Sequence, residues 1–305
     1  MELSDGQCEM QVRAPAKLNL VLAVAASRED GFHPLVSVME AIDLCDTLHV
    51  RVNRSGVSGV RVDAPGLPGG DTLVTRAVKS LLEHLRVHAA VDITINKQIP
   101  VGAGLGGGSS DAAAGIGAVN TLLGAPCGLS ELHQLAASVG SDVPFFIDPQ
   151  YGALVEGRGE RVAPLAAGTL PARSWLIIWP GESNPTADVY RRYMPARSHL
   201  PEAGSAISDA ASGRFHNDLA EPALAGSPAM LELARRMTST FHHQPVLVAG
   251  SGSAVAVEVA DEIGELVRGV ADPQTIRAMG WEHLVDGMRS AIVAVARSWR
   301  SQPDW

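Results

Sequence analysis

The chain has 305 residues, 46% of them apolar, and 24 Lys plus Arg against 33 Asp plus Glu give a formal charge of −9. That length suits two domains, that apolar share builds a core and excludes a disordered chain, and that charge excludes a duplex nucleic-acid binder, whose affinity rests on surplus cations. A small anionic ligand stays possible, because backbone amides can hold phosphate on an acidic protein.

In chain order, Leu18 to Ala26 is a short apolar run that predicts a buried strand. It follows Arg13 and Lys17 and so imitates a secretion signal, but Glu2, Asp5 and Glu9 make the leader acidic and Asn19 interrupts the run. No segment reaches the roughly 18 apolar residues that span a bilayer, so no membrane partner is expected. Cys8, Cys45 and Cys127 are too scattered for a disulfide framework or a zinc motif. They are expected to be free buried thiols of a cytoplasmic protein.

Leu48, Val50 and Val52 alternate with polar neighbours, as do Val91, Ile93 and Ile95, and both predict half-buried strands. Between them, Asp71 is the expected cap of a helix burying Leu73, Ala77, Leu81 and Leu85. A helix burying Ala112, Ile116, Val119 and Leu123 ends at Gly124, and another runs from about Glu131 to Val139. Gly157 to Arg173 is rich in Gly, Ala and Pro and marks a boundary, giving domains 1–165 and 166–305. Beyond it come a strand at Trp175 to Trp179, a loop from Pro195 to Gly213 and a helix at Pro228 to Thr240. Strands at Pro245 to Ala249 and Val255 to Val259 flank Gly250-Ser251-Gly252. The mixture predicts an α+β fold of two domains. His84 and His88, four apart, have no third ligand nearby in sequence and predict a solvated helix end.

Chemistry concentrates at Pro100-Val101-Gly102-Ala103-Gly104-Leu105-Gly106-Gly107-Gly108-Ser109-Ser110. Five glycines in seven positions let the backbone approach a ligand, and Ser109 or Ser110 is expected to cap the following helix. A helix N-terminus behind a glycine turn is an anion site, with phosphate its usual occupant. The nucleoside-triphosphatase loop does not fit, because Ser109 and Ser110 stand where its lysine belongs. The dinucleotide fingerprint matches only nominally at Gly102, Gly104 and Gly107, since Lys97 to Pro100 separates strand from turn.

Residues 100–114, PVGAGLGGGSSDAAA, resemble the phosphate loop of the GHMP kinases, a two-domain α+β family with its active site in the cleft between domains. Ala14 to Leu20 with Arg28 to His33, Gly140 to Phe146, and Gly250 to Gly252 resemble the branch that phosphorylates 4-diphosphocytidyl-2-C-methyl-D-erythritol in non-mevalonate isoprenoid synthesis. Asp71-Thr72-Leu73 and Asn217-Asp218-Leu219 follow in the right order, although Ala220 separates the latter from Glu221 and no role is assigned there. The resemblance implies ATP with Mg²⁺, residues 100–110 on the nucleotide, Asp142 as catalytic base and Lys17 as its partner. It places Asn19, Phe32, His33, Thr186, Tyr190, Gly250, Ser251 and Gly252 on the substrate, with Phe32 and Tyr190 sandwiching the cytosine. Phe32 stands where the family usually has tyrosine. Ser110 is a candidate magnesium donor that the sequence alone does not establish. Rival readings are a homoserine- or mevalonate-type GHMP kinase, or a nucleotide-binding regulator of the same fold. Oligomeric state leaves no trace in the sequence.

Overall fold

The computed structural model describes residues 7–29, 31–54, 57–67, 72–148, 152–195, 199–266, 269–288, 290–299 and 305. The first half runs β1 (Gln7–Val24), β2 (Leu35–Asn53), β3 (Gly59–Asp63), α1 (Thr72–Leu85), β4 (Ala90–Asn96), α2 (Gly107–Leu122) and α3 (Leu129–Val139). A 3₁₀ turn at Val143–Phe146, β5 (Gly152–Gly157) and β6 (Arg161–Pro164) follow. The second half runs β7 (Ser174–Trp179), α4 (Thr186–Arg192), α5 (Ala203–Ala211), β8 (His216–Asn217), α6 (Ala220–Ala225), α7 (Pro228–Thr240), β9 (Val246–Val248) and β10 (Val255–Val259). It closes with α8 (Asp261–Leu266), β11 (Gly269–Val270), α9 (Pro273–Ala278), α10 (Glu282–Val285) and β12 (Ile292–Arg297).

Two sheets organise the molecule. The first has the order β3-β4-β2-β1-β8, with β5 and β6 added where β2 runs past β4. The second is β11-β12-β7-β10-β9, antiparallel throughout. The chain changes sheet between Pro164 and Ser174, and β8 later returns to pair parallel with β1.

Side-chain alternation on β1 decides what faces where. Ala16, Leu18 and Leu20 join Val36, Val38, Trp175, Ile177, Ala256 and Ala294 in one cluster shared by both sheets. Lys17 and Asn19 therefore project from the opposite face. Glu40, buried on β2, fastens the sheets together: it accepts hydrogen bonds from Trp175 Nε1 (3.1 Å) and Ser298 Oγ (2.7 Å).

The helical layer differs from expectation in detail. The buried stripe of α1 is Val74, Ala77, Val78, Leu81 and Leu82, with Leu73 and Leu85 at its edge. Asp71 lies outside the described residues. Between Pro195 and Gly213, where a loop is expected, α5 buries only Ala206 and Ala210, so its face is too small to register as an apolar stripe. The cysteines are free, but Cys8 is exposed on β1 while Cys45 and Cys127 are buried. Among the described residues, no helix is long and apolar enough to cross a membrane.

Candidate active site

The glycine loop connects β4 to α2 and is bonded on both flanks. The Lys17 N–H donates to Leu105 O (2.9 Å), and the Ala254 N–H donates to Ala103 O (2.9 Å). Gly102, Gly104 and Gly106 all adopt positive φ (73°, 81° and 77°). At Gly104 there is a second constraint, because a Cβ would stand 2.0 Å from Ala249 O. At Gly106 a Cβ would come within 3.0 Å of both Phe146 Cζ and Lys17 Cγ.

The cap of α2 is Gly106 in the left-handed conformation, not Ser109 or Ser110, and the helix begins at Gly107. Both serines fall inside its first turns. The first amides of α2 have no carbonyl one turn back to pair with, so they and the helix dipole face the loop. The Ser110 hydroxyl is fully buried with no hydrogen-bond partner. A glycine cradle and helix-end amides make a donor set suited to a phosphate, whereas Ser110 is buried behind the loop and lines neither of the cavities beside it.

Behind the loop lies a network that sequence reading missed. Lys97 Nζ bridges Asp46 Oδ2 (2.5 Å) and Asp111 Oδ2 (2.6 Å), while Asp46 Oδ1 accepts the amides of Gln98 (2.6 Å) and Ile99 (2.8 Å). Burial alone would lower the Lys97 pKa, but the charges and hydrogen bonds of Asp111 and Asp46 outweigh it and raise the pKa above the usual lysine value. The three side chains thus hold the start of the loop.

Two cavities meet at this loop. The smaller, about 250 Å³, is formed by Leu67, Leu73, Lys97 and residues 100–109. The larger, about 790 Å³, lies between the two halves of the chain. It brings together Lys17 and Asn19 from β1, Phe32 and His33 from the β1–β2 connection, and Asp142 from the turn before Val143. Thr186 and Tyr190 of α4 and Gly250 and Ser251 of the β9–β10 turn close its other side. Gly104, Gly106 and Ser109 line both cavities. Gly252 does not line the cleft; a Cβ there would meet Met230 Cε at 2.7 Å.

Lys17 is the buried cation of this cleft. Its Nζ donates to Asn19 Oδ1 (2.6 Å) and Gly104 O (2.9 Å) and stands 3.8 Å from Asp142 Oδ2. Asn19 is oriented by donating from Nδ2 to Ser37 Oγ (2.9 Å). Burial pushes the Lys17 pKa below the usual lysine value, and the charge of Asp142 offsets only part of that. Burial and the same carboxylate push the Tyr190 phenol up to about 12, which keeps it neutral.

The aromatic wall differs from a simple sandwich. Tyr190 packs on His33, ring centroids 5.2 Å apart, and the half-exposed Phe32 carries the Arg158 guanidinium 4.6 Å from its ring centroid. Arg158 comes from the β5–β6 turn, where nothing in the sequence flagged it. His33 Nδ1 lies 2.8 Å from Ala25 O; a proton on that nitrogen leaves Nε2 as the acceptor. Asn217, given no role from sequence, donates through Nδ2 to Val248 O (2.8 Å) and Gly250 O (2.7 Å) and so holds the Gly250 turn against the cleft. Thr186 Oγ1 and Ser251 Oγ meet at 2.9 Å across the same rim.

A glycine-capped helix beside an interdomain cleft carrying a buried lysine paired with a part-exposed aspartate defines a class, and residues 72–148 match the family of GHMP kinase N-terminal domains. The fold is the two-domain α+β fold of that class. It resembles the crystal structure of a 4-(cytidine 5'-diphospho)-2C-methyl-D-erythritol kinase (TM-score 0.69, 32% identity, 94% of this chain and 99% of that one). A homoserine kinase from Cytophaga hutchinsonii shares the fold at 19% identity (TM-score 0.67, 99% and 97% covered). In sequence, the chain is 38% identical to the 4-diphosphocytidyl-2-C-methyl-D-erythritol kinase of Azoarcus sp. over 82% of this chain and 85% of that one. It is 36% identical to that of Nitrosospira multiformis over 85% and 86%. The chain belongs to the 4-diphosphocytidyl-2-C-methyl-D-erythritol kinase family and is an ATP-using phosphotransferase.

Proposed function

We propose that the protein transfers the γ-phosphate of ATP to the 2-hydroxyl of 4-diphosphocytidyl-2-C-methyl-D-erythritol, a step of the non-mevalonate isoprenoid pathway, in the cytoplasm. The observation that carries this reading is the Lys17–Asp142 pair on the wall of the larger cavity, next to the glycine loop that lines both. Two cavities meeting at three shared residues suit two substrates that must touch at one reacting phosphate.

Residues 100–110 cradle the triphosphate through backbone amides and the α2 dipole. The Mg²⁺ that accompanies ATP would supply charge neutralisation at the reacting phosphoryl group. Asp142 accepts the proton of the attacking hydroxyl. Lys17, aimed by Asn19 and Gly104 O, faces Asp142 across 3.8 Å and orients the acceptor oxygen. Phosphoryl transfer asks mainly for positioning and charge, which these groups provide. Asn19, Phe32, His33, Thr186, Tyr190, Gly250 and Ser251 hold the acceptor, with the cytosine against the aromatic wall and its edge bonded by His33. Arg158 beside Phe32 replaces the missing tyrosine hydroxyl as a polar contact on that wall. We further propose that residues 1–165 form the nucleotide domain and 166–305 the second domain; the change of sheet between Pro164 and Ser174 supports that division.

Purified protein given ATP-Mg²⁺ and the cytidylyl substrate should release ADP, and the substrate stripped of its cytidine should not elicit it. No ADP above background overturns the reading; equal ADP from mevalonate or homoserine moves the protein to another branch.

A further inference from the structure

At the edge of the helical layer three metal-ligating side chains converge outside both cavities. One donor atom each from His84, Cys127 and Glu131 lies within 4.8 Å of the other two, and His84 Nε2 is 3.7 Å from Glu131 Oε1. His88, four residues on, does not continue the helical face of His84: α1 ends at Leu85 and Arg86 takes a positive φ of 53°. What meets His84 comes instead from the α2–α3 turn and the first turn of α3.

Each element presenting a donor is fixed independently. Asn120, buried in α2, clamps the Cys127 backbone from both sides: the Cys127 N–H donates to Asn120 Oδ1 (3.0 Å), and Asn120 Nδ2 donates to Cys127 O (3.0 Å). Glu131 Oε2 accepts the Gly128 N–H (3.0 Å), and Oε1 is the oxygen nearest His84. Cys127 is buried while His84 and Glu131 are about half exposed, so the cluster has a sulfur floor and an open outer side.

We propose that His84, Cys127 and Glu131 form a three-ligand site for a zinc-class divalent ion, with water as the fourth ligand. A thiolate, an imidazole and a carboxylate are the donor types of such an ion and not of Mg²⁺ or Ca²⁺. One thiolate and one carboxylate neutralise a doubly charged ion. Tetrahedral bonds of about 2.0–2.3 Å hold donors roughly 3.4–3.6 Å apart, which side-chain rotation reaches from the present spacing. Thiolate ligation requires the ion to displace the Cys127 thiol proton on binding. The bound ion cross-links the end of α1 to the start of α3. None of the three residues lines either cavity of the kinase site.

Cobalt(II) is the probe, titrated into the full-length chain carrying Cys8→Ser, because Cys8 is the exposed thiol. The expected result is a sulfur-to-cobalt charge-transfer band in the near ultraviolet that saturates at about one ion per chain and is displaced by zinc. Cys127→Ser should abolish the band. His84→Ala and Glu131→Gln, both at exposed positions, should each weaken binding at least by the roughly tenfold to hundredfold that losing an outer-shell partner costs. Kinase turnover with Mg²⁺-ATP in all three variants should match the parent, which also shows that they fold. Absence of the band in the parent, its survival in Cys127→Ser, or unchanged affinity in both exposed variants overturns the site.

Discussion

Lys17 holds a positive charge where burial disfavours one, and Asp142 is only 37% exposed at 3.8 Å. The separation exceeds a hydrogen bond, so the pair is an electrostatic frame that an acceptor hydroxyl can enter. Asp142→Asn should keep nucleotide affinity within a few-fold and lose on the order of 10² or more in turnover, read by steady-state kinetics against nucleotide titration. Unchanged turnover would remove Asp142 from the role of base. A pH profile tests its partner. The folded pKa of Lys17 is lowered from 10.5, so its proton leaves in the native state first, and kcat/KM should fall on an alkaline limb below that value. Over the same window the unfolded chain binds more protons than the native one, so the stability contributed by this group rises with pH as activity falls. Lys17→Met should lose both the limb and that pH-dependent gain. Lys17 and Asp142 were legible because they sit in ordered motifs. Arg158 was not, because a turn arginine carries no pattern and reaches Phe32 only through hairpin geometry.

At the level of elements, the glycine loop is constrained by what surrounds it more than by its own flexibility. Gly104 combines a φ of 81° with a carbonyl where its Cβ would be. Gly104→Ala should therefore destabilise the fold by on the order of 2 kcal/mol or more and weaken nucleotide binding at least tenfold. A thermal melt and a nucleotide titration check the two effects, and an unaltered pair of values contradicts the packing described. The elements themselves were readable where apolar contrast is strong: α7 spans the expected Pro228–Thr240, and β10 the expected Val255–Val259. They were unreadable where burial is made with small or polar side chains. β1 extends back to Gln7 through a half-exposed stretch, β2 buries Glu40 and Asp46 in its middle, and α5 shows only alanines to the core. The apolar stripe of α1 turned by one residue relative to the Leu-based reading because valines fill the inner positions.

Across the whole molecule, the two sheets are joined through a shared apolar cluster with one buried carboxylate at its edge. Glu40→Ala would leave the Trp175 indole donor without its acceptor, at about 1–3 kcal/mol, and Ser298 Oγ with only its longer bond to Arg173 O (3.4 Å). Denaturant unfolding followed by tryptophan fluorescence should show a clearly lower midpoint; an unshifted midpoint means that Glu40 does not fasten the sheets. The acidic charge of −9 is compatible with the proposed anion site, because the groups proposed to face phosphate are amides and a helix end, whose polarity a count of charged side chains omits. The loop between Pro100 and Gly106 is sewn to β1 at Leu105 and to the β9–β10 turn at Ala103, one stitch into each half of the chain. A hinge swinging the halves apart would have to tear the Ala103–Ala254 stitch at every turnover. In the proposed reading the nucleotide seat is thus a keystone of fixed shape. Adjustment to the passing substrate falls to the acceptor rim, where the Phe32–Arg158 and Thr186–Ser251 contacts can part without unpicking a strand.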